Sequence, residues 1–272
     1  MDWWQALLLG IVQGLTEFLP VSSSGHLMIF RELLGVDAEG FLDFTVTVHF
    51  ATVLSTIIIF WSVIWNLLKG LFKFKYNDET DYVLKIVVSM IPIGIVGVFF
   101  KDKVEGLFAD NLFTVGVCLV ITAVLLFVSD QSSRWLPGGN AGNKHRNGLS
   151  YLQAFIVGLG QACAVAPGLS RSGTTIATGL ICGVRRESMA QFSFLMVLVP
   201  IVGEQALGIL KSFGEPAAAS GLGFMPLAMG SIGAFVAGLF SCKAMIAIVR
   251  KAKLTWFALY CLLVALAIFI FM

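Results

Sequence analysis

The sequence predicts an all-α polytopic membrane protein, with six transmembrane helices plus two re-entrant helix–loop–helix hairpins arranged as an inverted repeat. Three observations predict it. Of 272 residues, 58% are hydrophobic and only 12% charged, where a soluble domain carries about 25% charged residues; the mean hydropathy is +0.91. Two apolar regions, 6–30 and 152–183, are each interrupted in the middle by Pro, Gly and Ser. These two regions superpose without a gap when the chain is shifted by 148 positions.

A crossing helix needs about 20 apolar residues. Six stretches qualify, at 44–65, 83–100, 112–129, 190–210, 222–242 and 254–271. The interrupted regions have arms too short to span, and Pro20 and Gly25 break the first between its arms. Broken backbone in a bilayer is tolerated only where protein or cavity water satisfies it. Both regions are therefore read as hairpins that enter and leave on one side; a surface helix–loop–helix is the blander alternative. Tryptophans 3, 4, 61, 65, 135 and 256 lie near segment ends, as interfacial belts require.

Loop charges test this topology. With neither hairpin crossing, one face holds four basic residues, Arg31, Lys101, Lys103 and Lys211. The other holds thirteen: four between Lys69 and Lys85, three from Arg134 to Arg146, Arg185 and Arg186, and four from Lys243 to Lys253. The positive-inside rule makes the second face cytoplasmic and puts both termini outside. A single crossing hairpin would swap the loops after it and destroy the segregation. The basic face should also favour anionic lipid.

The repeat is more than shared apolarity. Gly10 meets Gly158, Gln13 meets Gln161, Ser22, Ser24 and Gly25 meet Ser170, Ser172 and Gly173, and Phe44 meets Phe192. The chain thus reads as one membrane domain, with repeat one at about 1–130, a linker at about 131–148 containing the Gly- and Asn-rich run 137–143, and repeat two at about 149–272. Three crossings separate the copies, so they enter from opposite faces as inverted repeats whose broken segments meet near the midplane.

Several function classes are excluded. The net charge of +2 is dispersed, not gathered in a nucleic-acid patch. The five cysteines form no CxxC and read as small buried apolar residues, neither disulfide framework nor zinc site. A cleaved signal peptide is not expected, because Asp2 precedes the first apolar run and Glu17 interrupts it.

The interruptions carry the chemistry. The first reads Gln13-Gly-Leu-Thr-Glu17-Phe-Leu-Pro20-Val-Ser22-Ser23-Ser24-Gly25-His26. Ionisable groups at membrane depth are costly and usually functional. A histidine shuttles protons near neutral pH, a carboxylate orients it or holds a metal, and a serine beside a base is a candidate nucleophile. The second interruption, Pro167-Gly168-Leu169-Ser170-Arg171-Ser172-Gly173-Thr174-Thr175, offers a guanidinium, four hydroxyls and a helix N-terminus. That is a nest for an anion, and a phosphate is the expected one. The Ser and Thr hydroxyls could instead merely mend a broken helix.

These residues resemble the undecaprenyl-diphosphate phosphatase family of the bacitracin-resistance type. That family carries a (Glu/Gln)-x-x-x-Glu motif with a Ser-rich stretch ending Gly-His, and a Pro-Gly-x-Ser-Arg-Ser-x-x-Thr motif; both match in full, at Gln13 to His26 and at 167–175. The resemblance implies hydrolysis of undecaprenyl diphosphate to undecaprenyl phosphate and inorganic phosphate in the bacterial inner membrane. This recycles the lipid carrier for peptidoglycan and lowers bacitracin sensitivity. It also implies dependence on a divalent cation (Mg²⁺ or Ca²⁺) and a site open toward the outer, periplasmic face. By motif position, Arg171 clamps the diphosphate, and Ser22, Ser24, Ser170, Ser172, Thr175 and Gln13 assist in binding it. Ser23 is the preferred nucleophile, activated by His26, with Glu17 orienting His26 or holding Mg²⁺. Direct attack by His26, or by a water it activates, fits nearly as well.

A polyprenyl-phosphate flippase, acting instead of or beside the phosphatase, is the rival reading. The expected partners are a polyprenyl diphosphate, membrane lipids and, as an open alternative, a second copy of the chain; nucleic acid is not one. His49, one turn into the first crossing, is expected to be a hydrogen-bonded packing histidine rather than a site residue. Glu204 is equally a site wall or an interhelical hydrogen-bond partner, and His145 is a solvated loop residue.

Overall fold

The computed structural model describes residues 1–38, 40–100, 112–135, 146–166, 168–212, 222–251 and 253–271, the side chains of 133–135, 204–212 and 250–251 excepted. The linker run 137–143, His145, Pro167 and the Glu204 side chain lie outside the described residues. Among those described there is no strand. Among the described residues, four helices are long and apolar enough to cross a membrane, so this is a multi-pass membrane protein.

The first hairpin is α1 (Trp3–Thr16) and α2 (Ser23–Leu33). Then come α3 (Phe41–Ile59), α4 (Trp61–Leu71), α5 (Asp78–Phe99) and α6 (Leu112–Trp135). After a 3₁₀ turn at Arg146–Gly148, the second hairpin is α7 (Tyr151–Cys163) and α8 (Arg171–Ile181). Helices α9 (Arg186–Ser212), α10 (Phe224–Lys251) and α11 (Thr255–Phe271) complete the chain. The spanning-length helices are α3, α5, and the greater part of α6 and α10.

The segment expected as one crossing at 44–65 divides at Phe60. There φ is −97° and ψ is 12°. The bonds Phe60 N–H to Thr56 O and Ile64 N–H to Phe60 O, both 2.9 Å, run through the bend. The Phe60 peptide thus keeps both of its ladder bonds at the turn.

The hairpin arms have 14 and 11 residues in the first copy and 13 and 11 in the second. At 1.5 Å per residue none exceeds about 21 Å, short of a hydrocarbon core of roughly 30 Å. Under the shift of 148, three of the four helix boundaries coincide and the fourth differs by one residue. The caps coincide as well: Ser22 accepts from Gly25 N–H at 3.3 Å, and Ser170 from Gly173 N–H at 3.1 Å. A serine hydroxyl here satisfies an otherwise orphaned helix donor.

The matching glycines explain how the halves join. Helix α1 packs on α10, and α7 packs on α5, so each copy's first hairpin arm lies against a helix of the other copy. A Cβ on Gly10 would strike the backbone of Gly230, and one on Gly158 the backbone of Ser89. Only glycine lets two helix backbones approach this closely. Phe44 and Phe192, another matching pair, are both fully buried.

Some residues depart from expectation. Cys118, Cys242 and Cys261 are buried, but Cys163 is exposed at the end of α7. Lys85, counted among the loop cations, is buried in α5 with Asp81 at 2.6 Å and also donates to the Arg146 carbonyl at 2.7 Å. Asp81 further accepts from Tyr76, Tyr151 and Asn147, and so ties the start of repeat two to α5. An amphipathic Lys in a basic run reads from sequence as solvated; the buried carboxylate one turn earlier pulls it inward.

Candidate active site

The tips of the two hairpins meet. Gly168 N–H donates to Ser24 Oγ at 3.2 Å, and Ser172 Oγ–H donates to the Leu19 carbonyl at 3.2 Å. Helix α6 braces the contact from behind, where Thr122 Oγ accepts from Ser170 N–H at 3.2 Å. Between the tips lies a cavity of about 280 Å³. Its polar wall comes from Thr16, Glu17, Ser22, Ser23, Ser24 and His49 on one side, and from Gln161, Ser170, Arg171 and Ser172 on the other.

Ser23 and Arg171 occupy the first residue of α2 and α8 respectively, the same position in the two copies. Two helix N-termini therefore converge on one cavity, each with partial positive charge and unpaired backbone donors. Such an arrangement favours an anion, and Arg171 adds a formal charge.

Glu17 is the hub. Its Oε2 accepts from Ser23 Oγ–H at 2.6 Å and from Gln13 Nε2 at 2.9 Å. His49 Nε2 lies 3.5 Å from the same oxygen, and Arg171 reaches within 4.0 Å of Oε1. The residue is a turn rather than a helix member, just beyond the end of α1. That position lets the carboxylate swing toward the start of α2.

His26 apart, the sequence-expected site residues separate into three groups. Glu17, Ser22, Ser23, Ser24, Ser170, Arg171 and Ser172 line the cavity. Gln13 stands behind Glu17 and holds it. Thr175 is fully buried and bonds to the Arg171 and Ser172 carbonyls and to Ser193, so it supports the start of α8 rather than facing the cavity.

His26 is where expectation and structure part. Its Nδ1 bonds to the Ser22 carbonyl at 2.7 Å and its Nε2 to Tyr260 Oη at 2.8 Å. A carbonyl only accepts, so Nδ1 carries the proton and Nε2 accepts from the tyrosine. The rings stack, with centroids 5.6 Å apart. With both nitrogens committed toward its own helix and α11, the imidazole is not a partner for Ser23. Glu17 contacts His49 instead of His26. His49, read from sequence as a packing residue, does bond to the Thr45 carbonyl at 2.8 Å, yet its other nitrogen faces the cavity. Nothing in an apolar helix flags such a histidine, because its face depends on what packs beside it.

The fold and the cavity define a multi-pass membrane protein that brings a serine, a carboxylate and a guanidinium together at the meeting point of two broken hairpins. The model of the family "Bacitracin resistance protein BacA" matches residues 6–267, and the chain belongs to that family. Its relatives include an undecaprenyl-diphosphatase of Bacteroides fragilis, 52% identical over 97% of this chain and 96% of the relative. Another, from Bacteroides thetaiotaomicron, is 52% identical over 99% of both chains. A third, from Christiangramia forsetii, is 47% identical over 100% of this chain and 98% of its own.

Proposed function

We propose that this protein is an undecaprenyl-diphosphate phosphatase, releasing inorganic phosphate and returning undecaprenyl phosphate to cell-wall synthesis. Consumption of the diphosphate form would also remove the lipid that bacitracin targets. The observation that carries the reading is the Ser23 hydroxyl held 2.6 Å from Glu17 in a cavity that Arg171 also lines.

In this mechanism Ser23 Oγ attacks the terminal phosphorus and its proton passes to Glu17. The O–P bond forms as the bridging P–O bond breaks, and Glu17 passes the proton to the departing undecaprenyl phosphate, which leaves the carboxylate free again. Water then attacks the phosphoserine, Glu17 takes its proton and returns it to Ser23 Oγ as the Oγ–P bond breaks, and inorganic phosphate departs. Arg171 and the two helix N-termini offset the charge on the phosphoryl oxygens, the kind of electrostatic preorganisation that dominates phosphoryl transfer. His26 holds the Ser22 carbonyl and so positions the residue before the nucleophile. A carrier that only flips lipid has no use for a proton acceptor on Ser23.

The donor set fits a hard divalent cation such as Mg²⁺ or Ca²⁺. Glu17 supplies a carboxylate and the neighbouring serines supply hydroxyl oxygens. No group of three His, Cys, Asp or Glu occurs among the described residues. An ion held there would draw its remaining ligands from the substrate's phosphate oxygens, as Mg²⁺ commonly does. When bound, such an ion would neutralise phosphoryl charge.

A prenyl chain leaving the head group would meet an apolar wall beside the cavity. A recess adjoining the cavity shares Glu17, Arg171 and Ser172 with it and is lined by Val53, Phe194, Val197 and Leu198 of α3 and α9. The topology that suits these features has six crossings and two re-entrant hairpins in an inverted repeat. Both termini and the cavity mouth then lie on the outer face of the inner membrane. The short hairpin arms and the loop-charge bias support it.

The test is phosphate release from a long-chain polyprenyl diphosphate by purified protein with Mg²⁺. Release by the wild type, lost in Ser23→Ala and Arg171→Ala variants that still fold, is the expected result. Undiminished release by either variant would remove the site assignment.

A further inference from the structure

Gln161 is fully buried, lines the cavity, and has no partner for either polar atom of its carboxamide. A buried amide without hydrogen bonds is costly, and in a native protein it calls for a reason. The repeat shows which kind. Gln161 is the counterpart of Gln13, and the residue four further on is Glu17 in the first copy but Val165 in the second. Gln13 Nε2 donates to the Glu17 carboxylate at 2.9 Å. Gln161 has the same amide in the same turn of its hairpin arm, with valine where the acceptor would stand. An oxyanion is what the position lacks.

We propose that Gln161 is a further substrate-binding residue of this site: its Nε2–H donates to a non-bridging oxygen of the substrate's diphosphate, replacing the carboxylate that the first copy carries in its own chain. Its Oε1 accepts from a protonated phosphate oxygen or from a water ordered by the head group. The location adds a reason. Gln161 sits in the last turn of α7, where the helix end presents carbonyl oxygens. A side-chain amide is how that wall of the cavity offers a donor to an anion. The inference rests on the diphosphatase reading of the site.

Gln161→Met in the full-length protein keeps length and bulk and removes both polar atoms. Its KM for a long-chain polyprenyl diphosphate should rise roughly tenfold or more, the worth of one hydrogen bond to a charged group. Its kcat should change little, and its Tm without substrate should equal or exceed that of the wild type, because an unpaired buried amide has gone. Gln161→Glu, which sets a charge against the phosphate, should raise KM further. A KM within twofold of wild type in Gln161→Met, or a loss of activity that tracks a lowered Tm, overturns the proposal. Wild-type kinetics in Gln161→Met beside an inactive Arg171→Ala would defeat this inference and leave the diphosphatase reading standing. A wild-type protein that releases no phosphate would remove that reading itself.

Discussion

Glu17→Gln tests the mechanism most directly. The change keeps shape and removes the charge and the proton-accepting oxygen. In the native site one carboxylate oxygen serves both the Ser23 hydroxyl at 2.6 Å and the Gln13 amide at 2.9 Å. An amide in its place retains one acceptor oxygen but cannot take the serine's proton. General-base catalysis of this kind contributes about 10²–10⁴-fold, so kcat should fall by about that factor. Folding should suffer less: hydrogen bonds to a charged group become neutral ones, a loss on the order of 1–2 kcal/mol. Phosphate release measured beside a thermal melt separates the two effects. If Glu17→Gln kept kcat within threefold of wild type, Ser23 would not depend on this carboxylate and the proton route drawn here would be wrong.

Other substitutions probe the framework around the site. His26→Ala removes two hydrogen bonds and a buried ring, and should cost about 2–3 kcal/mol of stability, with activity falling alongside the lowered Tm; full loss of kcat at an unchanged Tm would return His26 to a direct chemical role. Gly158→Ala drives a methyl into the Ser89 backbone and should cost about 1–3 kcal/mol, read as a lower Tm; a wild-type melt would mean that α5 and α7 do not pack as described. Lys85→Ala strands the buried Asp81 carboxylate and should destabilise by about 3–5 kcal/mol, whereas an unchanged Tm would show the pair to be solvated. For the topology, a reporter that matures only outside the cytoplasm, fused after Met272, should be active; an inactive one would reverse the orientation.

Much of this protein is legible in its sequence because the decisive signals are local. Pro20 stands in the break at 17–22 and Ser22 and Ser170 begin the helices that follow, so both breaks have a local signal, although Gly25, expected as a breaker, lies within α2, and Pro92 and Pro200 lie within α5 and α9. Ser22 and Ser170 cap helices for the same short-range reason, and the serine and arginine that begin α2 and α8 come with them. The interhelical packing was foreshadowed too, since Gly10 and Gly158 recur in register, although their reason is a backbone from the opposite half.

What only the tertiary structure decided is which way each side chain faces. His26 and His49 are alike on paper, one inside a motif and one outside it. Tyr260, far along the chain on α11, takes the first away from Ser23, and the packing of α3 against the hairpin brings the second to within 3.5 Å of Glu17. Gln161 reads as an echo of Gln13 until the fold places it, partnerless, on the cavity wall. A helix propensity or a cap is settled within about one turn, but the contents of a cavity depend on helices that the chain reaches a hundred residues later.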